Sequence, residues 1–136
     1  NEGQNYKMEG FSLNQTITAA GAPAAVGPYC HAQLAGDTLY CSGQLGVNPA
    51  TGELANGVEA QAKQALENLR AVLETAGMDF QDVTKTTVFL SDMGDFAAIN
   101  AIYAQYFTGE APARSCVQVA ALPKGAAFEI EAVAVK

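Results

Sequence analysis

Residues 111–119 read APARSCVQV, and this stretch predicts a strand that starts directly after a rigid loop. Pro112 fixes its own φ and pushes Ala111 towards an extended backbone, so a helix cannot continue through it. Alternate side chains of a strand point to opposite faces, which places Arg114 on the same face as Cys116. The planar guanidinium of Arg114 suits two-point contact with a carboxylate. The alternative is an edge-strand arginine that is solvated or paired with a surface acid.

The spacing of apolar residues on either side of this stretch predicts one α+β domain with two helices and a mixed sheet. We expect a short strand at 13–18, strands at 29–34, 38–45, 83–90 and 128–135 besides the Arg114 strand, a helix through Ala62–Ala76 that ends at Gly77, and a second helix that Asp95 caps and that Gly109 and Pro112 stop. Strands joined by a helix should lie parallel, through right-handed crossovers. Residues 1–12 are polar and are expected to form a tail before the single domain 13–136.

The predicted strands are apolar on both faces. In the last strand, one row consists of Phe128, Ile130, Ala132 and Ala134, and the opposite row continues through Val133 and Val135. Two helices cover one face of such a sheet, and a sheet that is apolar on both faces must bury both. We therefore expect another copy of the chain to cover the second face in a closed symmetric assembly.

The composition argues against several classes of protein. The 136 residues carry 7 basic and 14 acidic side chains, a net charge of −7, and the basic residues are scattered singly. A nucleic-acid partner is not expected, because binding to phosphates needs a clustered basic surface. No apolar run reaches the length of a membrane span, so no membrane partner is expected. Three cysteines without a CxxC pair predict free thiols in a cytoplasmic environment.

Other polar residues could join Arg114 in a small site. Glu129 and Glu131 share a face of the last strand, which a short turn joins to the Arg114 strand, so either could approach the guanidinium. The Ser42-Gly43 pair lies near the end of a hairpin strand, where a glycine admits a ligand close to the backbone or forms a bulge. Tyr29 follows a Gly-Pro loop and could place its hydroxyl at a pocket rim or simply pack.

Two further residues have more ordinary interpretations. His31 is the only histidine, and a structural role is favoured over catalysis or metal binding, since a zinc site needs more ligands. Cys116 lies near an arginine and could have thiolate character, but the preferred interpretation is a small buried hydrophobe.

Several segments resemble the signature segments of the Rid family, also called YjgF, and most closely its RidA subgroup. They are AAVGPY at 24–29, CSGQ at 41–44, PARSCV at 112–117 and FEIEAVA at 128–134. The resemblance runs from about Ile17 to the C-terminus, with the segments in the family's order. It implies a chorismate-mutase-like fold and a homotrimer whose sheets form a central barrel, with clefts between subunits.

The resemblance also implies an activity. Rid proteins hydrolyse 2-imino acids and their enamines, such as 2-iminobutanoate and 2-iminopropanoate, to 2-oxoacids and ammonia. The resemblance implies the following roles: Arg114 holds the substrate carboxylate, Glu129 and Tyr29 are catalytic, Ser42, Gly43 and Cys116 contact the substrate, and Asn100 lies near the cleft. No cofactor or metal is expected, because a protonated imine is already electrophilic and needs orientation and a polarised water. The alternatives are a non-catalytic module that binds a small carboxylate, and a ribonuclease, which the net charge disfavours.

Overall fold

The computed structural model of the chain describes residues 14–136. The predicted tail 1–12 and the first residue of the predicted strand 13–18 lie outside the described residues. Six strands and two α-helices follow one another as β1 (Gln15–Ile17), β2 (Ala32–Ala35), β3 (Thr38–Leu45), α1 (Val58–Thr75), β4 (Val83–Leu90), α2 (Phe96–Tyr106), β5 (Ala113–Gln118) and β6 (Phe128–Val135). The predicted α+β class and both helices are confirmed.

The strands form one mixed sheet in the order β1-β2-β3-β6-β4-β5. β4 and β5 are parallel, as expected for strands joined by a helix, and the other neighbouring pairs are antiparallel. The last strand, β6, therefore lies in the middle of the sheet, between β3 and β4. This position separates β6 from β5, although the two strands follow each other in the sequence.

Helix α1 is fixed to the sheet by close backbone approach and by buried amides. Gly46 has no side chain where the α1 backbone at Gln61 passes, and a β-carbon there would overlap that backbone. Asn68 donates from Nδ2 to the carbonyl oxygens of Leu45 and Val47, at 3.0 and 2.9 Å. These bonds satisfy the carbonyls of Leu45, the last residue of β3, and of Val47, two residues further on. A carbonyl that is buried without a hydrogen bond would be costly.

Two local predictions need correction. Asp95 occupies the position before α2 but makes no side-chain capping hydrogen bond. The carboxylate of Asp92 instead accepts the Gly94 N–H at 2.8 Å and begins a short 3₁₀ turn that leads into α2. Tyr29 lies in the loop before β2 and not in the strand, because β2 begins at Ala32.

The two faces of the sheet differ in what covers them. Both helices pack on one face, where the row from Phe128 to Ala134 in β6 is buried. On the other face, Tyr40, Val117 and Val135 remain 54%, 42% and 41% exposed. We call this second side the open face. Val135 belongs to the row for which the sequence predicted a covering partner, and Tyr40 and Val117 extend that apolar surface over the neighbouring strands.

Candidate functional site

Arg114 lies on the helix-covered side of the edge strand β5, beneath α2. Its Nη1 donates to Oδ1 of Asn100 at 2.8 Å. The guanidinium carbon stands 4.8 Å from the ring centre of Tyr103 and 5.5 Å from that of Phe96. We call these four residues the arginine cluster. Among residues 14–136 the one ion pair joins two other residues, Arg70 and Glu67, so Arg114 has no carboxylate partner there.

Tyr103 is a member of the cluster that sequence reasoning missed. Its hydroxyl lies 2.7 Å from the hydroxyl of the fully buried Thr86 on β4. That bond fixes the ring on which the guanidinium rests. The sequence places Tyr103 on the buried side of a helix, but helical spacing does not tell which residue of the sheet it meets.

Cys116 shares the helix-covered face of β5 with Arg114 and packs partly against the core. Burial raises the pKa of the Cys116 thiol, and the positive charge of Arg114 only partly opposes this. The side chain is therefore a neutral thiol at neutral pH, but it is half-buried and not the buried hydrophobe that the sequence favoured.

Glu129 lies on the open face, beside an irregularity in β3. The pairing of β3 with β6 shifts between Cys41 and Gln44, which is the bulge that the Ser42-Gly43 pair suggested. The Glu129 carboxylate occupies the space above Gly43, so that a β-carbon on Gly43 would overlap it. Ser42 Oγ does not reach towards this space; it donates to the carbonyl oxygen of Cys30 at 2.7 Å.

A cleft of about 850 Å³ surrounds this carboxylate. Its walls include Tyr29, Ser42 and Gly43 from one side and Lys124, Glu129 and Glu131 from the other. Tyr29 is 51% exposed and lines the cleft, and of its two sequence-based alternatives this position fits a phenol at a pocket rim better than simple packing. Together, Tyr29, Ser42, Gly43 and Glu129 form what we call the glutamate cluster.

The pKa of Glu129 is raised. Burial is the main cause, and repulsion from the Glu131 carboxylate, two residues along the same face, adds to it. A carboxyl group with a raised pKa exchanges protons closer to neutral pH, which is the property that general acid–base catalysis needs.

The arginine and glutamate clusters lie on opposite faces of the sheet within one chain. Arg114 is paired with the buried Thr86 on β4, whereas Glu129 is paired with Phe89, whose side chain points the other way. The expectation that Glu129 or Glu131 approaches Arg114 within the chain is therefore wrong. There are two causes: the register places the two side chains on opposite faces, and β4 separates β5 from β6.

Residues 14–136 contain no group of three or more His, Cys, Asp or Glu side chains arranged to hold a metal ion. Within the same range, no helix is long and apolar enough to cross a membrane.

Comparison with known proteins shows the family to which this chain belongs. The sequence model of the family described as Endoribonuclease L-PSP matches residues 19–136. The 2-iminobutanoate/2-iminopropanoate deaminase of Capra hircus is 53% identical over 125 residues, covering 91% of each chain. The crystal structure of the YjgF gene product of Escherichia coli superposes with a TM-score of 0.87 at 49% identity, covering 90% of this chain and 98% of that one. The chain belongs to the Rid (YjgF) family.

The structure of TdcF from Escherichia coli with bound serine, a further relative, has a TM-score of 0.87 at 45% identity and covers 90% of this chain and 98% of that one. In the present chain, the segments that resemble Rid signatures lie around the two clusters. Residues 24–29, 41–44 and 128–134 border the cleft, and residues 112–117 carry Arg114. The Rid motifs therefore mark both halves of the candidate site, on opposite faces of one sheet.

Proposed function

We propose that this protein hydrolyses 2-imino acids and their enamine tautomers, such as 2-iminobutanoate and 2-iminopropanoate, to 2-oxoacids and ammonia. The observation that carries the proposal is the guanidinium of Arg114, which Asn100 and two aromatic rings hold in place without a carboxylate partner among residues 14–136. A fixed cation of this kind suits the carboxylate of a small acid. The deaminase relatives and the relative that carries serine, itself a small amino acid, support this choice.

The glutamate cluster would supply the chemistry. Water adds to C2 of the protonated C=N bond, whose electron pair moves to the nitrogen, and a proton of the water passes to the carboxylate of Glu129. The same carboxyl group then delivers a proton to the nitrogen of the tetrahedral intermediate. The C–N bond breaks, ammonia leaves, and the hydroxyl proton is lost as the 2-oxoacid forms. The raised pKa of Glu129 suits both transfers, and the Tyr29 hydroxyl would orient the water or the imine.

We further propose that the complete site forms between two subunits of a homotrimer whose sheets build a central barrel. A single chain holds Arg114 and Glu129 on opposite faces, so one copy must bring the arginine cluster to the cleft of another. The exposed Tyr40, Val117 and Val135 of the open face give that assembly an apolar surface to bury. The reduced cysteines expected from the sequence suit a cytoplasmic location.

The proposal does not extend to RNA, although the family description names an endoribonuclease. The chain has a net charge of −7, and Glu129 and Glu131 bring two carboxylates to the cleft. RNA phosphates would be repelled there. A non-catalytic module that binds a carboxylate remains the alternative, and turnover distinguishes it.

Replacement of Arg114 tests the function. Arg114→Ala should abolish imine hydrolysis while the protein stays folded, since a charge-assisted hydrogen bond contributes about 1.5–3 kcal/mol and the residue lies on an edge strand. Arg114→Lys should recover little, because an ammonium group cannot make the two-point contact. The assay couples a threonine dehydratase to release of ammonia or 2-oxobutanoate. Arg70→Ala, which removes an arginine whose carboxylate partner is Glu67, is the matched control. An unchanged rate in Arg114→Ala would remove this residue from the mechanism.

A further inference from the structure

His31 is buried beside the cleft, with 4% of its surface exposed, and both of its ring nitrogens are used. The Ala19 N–H donates to Nδ1 at 2.9 Å, and Nε2 lies 2.7 Å from the carbonyl oxygen of Pro23. A backbone amide can only donate and a carbonyl can only accept. The ring must therefore be neutral, with its proton on Nε2.

These two bonds tie the polar backbone of the loop to His31, the residue before β2, and burial of Ala19 and Ala22 in the core adds apolar packing. Among residues 14–136, the other backbone hydrogen bonds of residues 19–27 are local: the Ala22 N–H donates to Ala19 O at 3.3 Å, and Gly27 O accepts from the Tyr29 N–H at 2.8 Å. The loop forms one wall of the cleft through Pro23 and Val26, and it leads directly to Tyr29.

The backbone around His31 holds a second part of the wall of the same cleft. The Ser42 N–H donates to the carbonyl oxygen of His31 at 2.9 Å, and Ser42 Oγ donates to that of Cys30 at 2.7 Å. Residues 30 and 31 therefore link the loop to the bulge of Ser42 and Gly43. The side chain of His31 binds the loop, and the backbone carbonyls of Cys30 and His31 bind Ser42. Tyr29 lies two residues from His31 and Glu129 lies against Gly43.

We propose that His31 is a positioning residue of the deaminase site: its neutral, Nε2-protonated ring fixes residues 19–23 and thereby sets Tyr29 against the bulge of Ser42 and Gly43, beside which Glu129 lies. The effect of His31 on catalysis rests on the proposed function. The hydrogen bonds of its ring are independent of that function. A displaced Tyr29 would slow the chemical step and leave the carboxylate contact of Arg114 intact, because the arginine cluster contains no residue of this loop.

The first test observes the ring in the wild-type protein. His31 is the only histidine, so ¹⁵N labelling of histidine gives the signals of this one ring without assignment by mutation. We expect a neutral ring with the proton on Nε2 and an unprotonated, hydrogen-bonded Nδ1 at neutral pH. A ring protonated on Nδ1 would overturn the proposal, whether or not the protein hydrolyses imines.

The second test compares His31→Leu with Gln33→Leu. Gln33 donates to Thr16 Oγ1 at 2.9 Å and to Cys30 Sγ at 3.3 Å but makes no hydrogen bond to residues 19–23, so its replacement removes a neighbouring polar side chain and leaves the bonds to the loop in place. His31→Leu should speed hydrogen exchange at the Ala19 amide and lower kcat about 10- to 100-fold, with KM changed by less than about threefold. Gln33→Leu should leave both the Ala19 exchange and kcat as in the wild type.

Partial rescue distinguishes positioning from a general loss of stability. The amide of His31→Gln can still donate to Pro23 O, but its Oε1 does not occupy the position of Nδ1, so the bond from Ala19 is weakened and kcat should lie between those of the wild type and His31→Leu. If His31→Leu fails to fold, this variant and the ring signals decide the question. Equal kcat in the wild type and in a folded His31→Leu or His31→Gln would overturn the proposal. If the wild type lacks deaminase activity, the proposed function fails, and the ring signals and Ala19 exchange still decide whether the ring holds the loop.

Discussion

Glu129 and Cys116 are the two side chains that could do chemistry beyond binding, and their surroundings give them different roles. Burial keeps the Cys116 thiol neutral, whereas Glu129 faces a cleft with a pKa that suits proton transfer. Glu129→Gln, which is nearly isosteric, should cut turnover on the order of 10²–10⁴-fold and largely keep substrate binding. Cys116→Ser should retain most activity in the same coupled assay. The reverse pattern would require a thiol mechanism.

The pH dependence of turnover should reveal how Glu131 affects the pKa of Glu129. Because burial and Glu131 disfavour the ionised form, the acid limb of kcat/KM should lie above the ordinary range of a glutamate. Glu131→Gln removes the repulsion and so lowers the pKa of Glu129, and the limb should move to lower pH. Burial is the larger cause and remains, so the shift should be partial. A limb that stays in place would show that Glu131 does not tune the reaction.

At the scale of elements, Gly43 and Gly46 have different purposes, and replacing each of them by alanine separates the two. A β-carbon on Gly43 would meet the Glu129 side chain, which can rotate away, whereas one on Gly46 would meet the backbone of α1 at Gln61, which cannot. Gly43→Ala should therefore fold normally and lose turnover as the carboxylate is displaced. Gly46→Ala should lower the free energy of unfolding by about 1–3 kcal/mol. Thermal unfolding and kcat, measured on both variants, check the contrast.

At the scale of the whole molecule, the opposite placement of Arg114 and Glu129 predicts that two inactive variants restore activity together. If each site takes its arginine from one subunit and its glutamate from another, a mixed trimer of Arg114→Ala and Glu129→Gln contains one intact site. Equal mixing after dissociation and reassembly should give roughly a quarter of the wild-type activity. The unmixed variants are the controls.

Light scattering of the same samples should give about three times the chain mass of 14.1 kDa. A monomer, or a mixture as inactive as its components, would exclude the shared site.

Much of the fold follows from local pattern. The bounds of β3, β4 and β6 agree with the predicted strands 38–45, 83–90 and 128–135, because alternating or β-branched runs between turn residues carry their own signal. The start of β2 was predicted too early, at Tyr29. The loop before β2 is held by hydrogen bonds to the His31 ring and not by pairing with a neighbouring strand. A side-chain hydrogen bond to a distant backbone group produces no periodic pattern in the sequence, so it could not be predicted.

The sequence by itself determined the elements, the two-sided apolar character of the strands and the side chains that carry the chemistry, since each depends on residue type and on spacing within one element. Only the tertiary structure decided which residues share a face and a cleft. The insertion of β6 between β3 and β4 puts Glu129 with Gly43 and Tyr29 and leaves Arg114 with Asn100 and Tyr103 on the other side. Strand order arises from the packing of the whole sheet against two helices, a long-range free energy that no single stretch of sequence contains.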